Sequence, residues 1–178
     1  MKPVEGTSRA AATEARFADL PDIVLGPLVG RPDPDWYQAP PGKWCAAQIV
    51  EHLALALEWS SLGFAERRAR EPMARRPRTL AERVGYWAVL GLGWMPPGLE
   101  APKGSRPAER VERAATEARF RQGVARFEEL ARVLLPTRRL DLFVKHPRMG
   151  DLTLEEWMAF HVIHARHHAK QIRARLAL

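Results

Sequence analysis

The sequence predicts an all-α domain, a four-helix bundle with an additional short helix. Three observations carry this expectation. Helix-forming residues dominate, apolar residues recur at steps of three and four in several long segments, and no stretch sustains the apolar/polar alternation of a half-buried strand. At 178 residues the chain suits one domain and can bury a core without disulfides or a structural metal. Residues 1–12 read as a flexible N-terminal tail of that domain.

The elements follow in order. A first helix is expected from about Thr13 to Leu25, stopped by Gly26 and Pro27. Pro32, Pro34, Pro40 and Pro41 make Gly30 to Gly42 a loop. A second helix runs from about Cys45 to Arg68, and Pro72 and Pro77 mark the basic connection after it. A shorter apolar helix then covers about Leu80 to Leu92. The break from Met95 to Pro107, rich in proline and glycine, is long for a compact domain and suits a lid or a site wall. A fourth helix spans about Ala108 to Leu135, with Phe120, Val124, Phe127, Leu130 and Val133 on one stripe, and ends before Pro136. His146 to Asp151, holding Pro147 and Gly150, reads as a turn. Thr153 and Glu156 then form a capping box that opens the last helix, about Leu154 to Leu176.

Composition narrows the function classes. The formal charge of +7 and a pI near 10.3 invite a nucleic-acid reading, with Arg67, Arg68, Arg70, Arg75, Arg76 and Arg78 as the best patch. That patch has no interleaved aromatics for base stacking, and the arginines elsewhere are mixed with glutamate. A solvated, arginine-biased surface is the preferred reading, with a nucleic-acid-associated basic protein as the alternative. Cys45 is the single cysteine, which excludes an intramolecular disulfide and fits a reducing, cytoplasmic compartment. No signal-peptide core is evident, and the longest apolar stretch, Tyr86 to Pro97, is far short of the roughly 20 residues that span a bilayer, so no membrane association is expected.

The histidines point to chemistry. Five of six occupy two places, His52 and the cluster His161, His164, His167 and His168. On a helix His164 and His168 are one turn apart on one face, so both imidazoles can reach one ion, with His52 on a facing helix as the third ligand. Three histidines leave coordination positions open to water or substrate, as a reactive metal site requires. The stripe Cys45, Ile49, His52, Ala56 and Trp59 should face inward and bury His52. His161 lies seven residues from His168, about 10 Å along the axis, and is expected to line the pocket with Gln171, Trp59 and Lys103. His167, about 100° around the helix from His168, belongs to its flank.

These residues resemble the DinB-like superfamily of metal-binding four-helix bundles. Pro41 to Leu53, with Trp44 leading and His52 preceding Leu53, looks like that family's tryptophan-led helix; His164, His168, Gln171 and Ile172 look like its C-terminal helix. His146, Pro147, Gly150, Thr153 and Trp157 resemble the approach to that helix in an uncharacterised branch. The resemblance covers about Phe17 to Ile172 and departs at Cys45, where related sequences often start the helix with serine or threonine. It implies a divalent ion, commonly zinc, nickel or iron, on His52, His164 and His168. It also implies transfer or hydrolysis of a small-molecule substrate, in some members with a low-molecular-weight thiol, and a homodimer. The origin of the superfamily's name in DNA damage encourages the nucleic-acid alternative. A third reading is a non-catalytic bundle that binds a metal or ligand.

Overall fold

The computed structural model describes residues 13–96, 98–137, 139 and 141–177, and the expected tail at 1–12 lies outside the described residues. Residues 13–18 are helical, and after Asp19 the chain continues as α1 (Leu20–Leu25) and a 3-10 turn at Gly26–Leu28. The interruption of the expected single helix falls where Pro21 enters the first turn of α1, because proline has no N–H to continue the preceding ladder. The segment expected as a loop contains α2 (Asp33–Tyr37), which corrects that expectation. Pro34 sits in the first turn, where a missing N–H costs nothing, and Trp36 drives the turn into the core.

α3 (Ala46–Arg68) begins after Cys45, whose N–H donates to Gln48 Oε1 at 3.2 Å. α4 (Leu80–Tyr86) is capped by Thr79 and Glu82 and continues as a π-helical segment, Trp87–Gly91. α5 (Arg113–Leu134) starts five residues later than the expected Ala108. The Glu112 carboxylate accepts from the N–H groups of Ala114 and Ala115 at 2.9 and 2.6 Å and so fixes the start, while Gln48 Nε2 donates to the carbonyls of Ala108 and Glu109.

The expected turn at His146 to Asp151 is the tip of a hairpin, β1 (Phe143–His146) and β2 (Gly150–Thr153), so the domain is not purely helical. Gly150 makes the tip possible with φ +74°. Val144 opposes Leu152 and His146 opposes Gly150, and Trp157 Nε1 donates to the Val144 carbonyl at 3.0 Å. α6 (Leu154–Leu176) follows directly, with the Thr153 hydroxyl accepting from Glu156 N–H and the Glu156 carboxylate accepting from Thr153 N–H.

Residues 13–25, α3, α5 and α6 form the four-helix bundle, with α4 as the additional short helix. Phe127 of α5 is at its centre, 5.2 Å from Phe17, 6.2 Å from Phe64 and 5.2 Å from the His161 ring. Gly123 admits α3 closely, since a Cβ there would stand 3.2 Å from Leu57 Cβ. Arg119 also joins the two helices, bonding the buried Glu51 carboxylate at 2.7 Å and Glu58 at 2.7 Å.

The basic connection fastens the hairpin. Arg75 and Arg78 donate to the Asp151 carbonyl at 2.6 and 2.8 Å, and both pair with Glu156. Tyr86 OH donates to the same Glu156 at 2.9 Å. Gly85 lets α4 close on the hairpin tip, because a Cβ there would lie 2.6 Å from the Arg148 carbonyl oxygen. Among the described residues no helix is long and apolar enough to cross a membrane.

Candidate metal centre

α3 and α6 bring His52, His164 and His168 together. His164 Nε2 lies 3.0 Å from His52 Nε2 and 3.1 Å from His168 Nε2, and the three ligand atoms fall within 4.8 Å of one another. All three rings are buried. Among the described residues this is the one group of three or more His, Cys, Asp or Glu side chains gathered in that way.

The placement of protons in the cluster suits an ion. His52 Nδ1 is 2.6 Å from the Ser105 carbonyl, and His168 Nδ1 is 2.9 Å from Gln171 Oε1. Both oxygens only accept, so both rings carry their proton on Nδ1 and turn the lone pair of Nε2 inward. His164 can add at most one proton to two facing lone pairs, and its own Nδ1 is buried without a partner. Extra protons are disfavoured as well. Burial pushes His168 down to about 3, with the nearby His52 charge adding to it, and pushes His164 well below the ordinary imidazole value, aided by His168 and His52. Burial also lowers His52, opposed by the bond to Ser105. Three neutral imidazoles converging through Nε2, two of them oriented from behind by oxygen acceptors, fit a divalent ion.

The cluster lines a cavity of about 710 Å³. Trp44 tilts over His52 at 5.1 Å and Phe160 stacks on His164 at 5.0 Å. The long break supplies one wall, and its 3-10 turn at Lys103–Ser105 delivers the carbonyl that holds His52. Of the side chains expected around the site, Trp59 and Gln171 line the cavity, although Trp59 is 44 % exposed instead of facing inward, with its ring 5.6 Å from Trp157. His161 does not line it. Its Nε2 lies 2.9 Å from Ser60 Oγ inside the bundle, and burial pushes it down to about 3. Lys103 is exposed and outside the lining, because its 3-10 turn presents its backbone to the site. His167, expected on the flank, is half-buried at the cavity edge and accepts from Gln171 Nε2 at 3.1 Å.

Sequence reasoning missed several cavity residues, His146, Arg148 and Arg175 among them. His146, placed in a turn, ends β1 and packs its ring 4.6 Å from Phe160 and 5.2 Å from Trp157. Its Nδ1 accepts the Arg148 N–H at 3.1 Å, and burial with the Arg148 charge lowers it to about 4. Arg148 itself comes from the hairpin tip. Arg175 was legible in principle, at four residues beyond Gln171 on the histidine stripe.

Residues 34–175 match the family described as a protein of unknown function, DUF1569. A solved structure is similar over 98 % of this chain and 91 % of its own, with a TM-score of 0.64 and 20 % identity: YfiT from Bacillus subtilis, described as a probable metal-dependent hydrolase with an unusual four-helix bundle topology. At that identity the likeness speaks for the fold. Among curated proteins no sequence matches the chain.

Proposed function

The chain belongs to the DUF1569 family, and from that premise we propose that it is a metal-dependent hydrolase of a small-molecule substrate, with one divalent ion held by His52, His164 and His168. The observation that carries this reading is the convergence of three Nε2 atoms on one point in the wall of an open cavity. The description of YfiT as a probable metal-dependent hydrolase supports it further. Zinc, nickel or iron on those imidazoles would supply Lewis-acid activation of a nucleophile.

The chain's own residues do the rest. Ser105 and Gln171 hold protons at Nδ1 of His52 and His168 and keep both rings aimed. Trp44 and Phe160 cover ring faces and exclude water from them. His146 accepts at Nδ1, so its proton sits on Nε2, and being neutral at physiological pH the ring offers a hydrogen-bond donor in the cavity wall.

A low-molecular-weight thiol in place of water is the transferase form of the same reading, and a homodimer would use the exposed Leu80, Val84 and Trp87. The test is turnover of chromogenic carboxylate and phosphate esters by reconstituted protein, with and without added thiol. Hydrolysis without thiol, abolished by chelation and by His164→Ala, is the expected result. Turnover only with thiol selects the transferase, and activity that survives both chelation and His164→Ala removes the proposal.

A further inference from the structure

We propose that Arg175, with Lys43, forms an anion subsite in the cavity, so that the substrate is a small molecule carrying a carboxylate or phosphate at a distance from its reacting bond. The inference rests on the reading of the cavity as a substrate site. His164, His168, Gln171 and Arg175 follow steps of four, three and four and share one face of α6. Arg175 is seven residues beyond His168, about 10 Å along the axis.

The Arg175 head is fixed before any ligand arrives. Its Nε donates to the Trp44 carbonyl at 3.0 Å, and its own carbonyl accepts from Gln38 Nε2 at 2.9 Å. Trp44 is the residue that tilts over His52, so one short segment connects the guanidinium to the metal centre. Lys43, the preceding residue, lines the same cavity. Among the described residues no carboxylate pairs with Arg175, whereas Arg106 of the long break is paired with Glu100 at 2.8 Å. The Arg148 guanidinium, also in the lining, donates to the Glu100 carbonyl at 3.3 Å and, among the described residues, pairs with no carboxylate. With the histidines neutral, the ionisable lining is Lys43, Arg106, Arg148 and Arg175 against Glu100, a positive balance after the one ion pair is made.

A plainer role for Arg175 is to complement the C-terminal end of the α6 dipole. Arg173 in the same turn is exposed and serves that role without entering the cavity. Arg175 is instead turned back onto Trp44, with both Nη groups left for a planar, two-oxygen partner. A cationic lining inside a cavity also raises the local concentration of anions.

The test is calorimetric binding of three matched probes, phenyl phosphate, phenylacetate and uncharged phenylacetamide, to metal-loaded wild type and to the Arg175→Gln, Arg175→Lys, Lys43→Gln and His168→Ala variants. Elemental analysis of each protein accompanies it. Wild type should prefer an anion over the amide by about tenfold or more, the effect of one hydrogen bond to a charged group. That preference should vanish in Arg175→Gln, survive in part in Arg175→Lys, fall in Lys43→Gln and persist in His168→Ala. Phosphate against carboxylate separates the two anion sources. Equal binding of anion and amide by wild type overturns the proposal. So does a preference retained by Arg175→Gln but lost in His168→Ala, which would place the anion on the ion. Metal contents report separately on the histidine site, so its failure is not confused with failure of the subsite.

Discussion

Removing the acceptor behind one ligand should weaken metal binding without unfolding the bundle. Gln171 Oε1 takes the Nδ1 proton of His168 at 2.9 Å, and His168 is 8 % exposed, so little water stands ready to replace it. In Gln171→Ala the imidazole can move its proton to Nε2, which occupies the lone pair that faces the other two rings. One neutral hydrogen bond is worth about 0.5–1.5 kcal/mol net. Loss of a group orienting a metal ligand lowers affinity about 10–100-fold, equivalent to about 1.4–2.7 kcal/mol. The two ranges meet at about tenfold, the minimum loss expected here. Gln171→Glu supplies a charged acceptor, and charge-assisted bonds are roughly twice as strong, so its affinity should equal or exceed wild type. Competition for zinc against a chromogenic chelator gives both constants, and thermal unfolding of the metal-free proteins should show similar stability, because Gln171 is only half-buried. An affinity within twofold of wild type in Gln171→Ala, or equal weakening in both variants, would refute the proton assignment.

Other consequences are open to simple measurements. His161 is held down at about 3 by burial, against about 6.5 unfolded, so the native state binds fewer protons; its contribution is complete above pH 6.5 and is lost as pH falls. Between pH 6.5 and 5.0 this one group should cost metal-free protein about 2 kcal/mol, and denaturant titrations of His161→Gln should show a slope smaller by about one proton. Gly85→Ala should lower the melting temperature, by about 1–3 kcal/mol in stability, because its Cβ would meet the Arg148 carbonyl at 2.6 Å; a stabilised variant would mean that helix propensity outweighs the contact. Arg119→Met leaves the buried Glu51 with only Thr116 Oγ1 at 3.3 Å, at a cost of about 1–3 kcal/mol, and adding Glu51→Gln should restore more than half of it in chemical denaturation.

The long helices were legible because their signals are local. The Thr153 and Glu156 box begins α6 where the sequence says it must, and the apolar spacing around Phe120 and Phe127 marks the buried side of α5. The hairpin was not legible because its strands are four residues long and both begin with consecutive buried residues, so no alternation exists to detect. Its stability comes from Arg75 and Arg78, some 70 residues away in sequence, reaching the Asp151 carbonyl. The same distance hid His146, whose place beside Phe160 depends on that hairpin. His52, His164 and His168 were readable from helical spacing, while the oxygen behind His52 is a backbone carbonyl and carries no residue-type signal. Lys103 shows the converse, since its type suggested a site and its backbone turn directs it elsewhere.

The most direct measurement is elemental analysis after chelation, reconstitution and desalting, for wild type and for His52→Ala, His164→Ala and His168→Ala. The convergence of the three Nε2 atoms predicts close to one ion per chain for wild type and a large loss in every variant, with the bundle still folded by circular dichroism. Stoichiometric metal retained by any of the three, or none bound by wild type, would contradict a single ion held jointly by His52, His164 and His168.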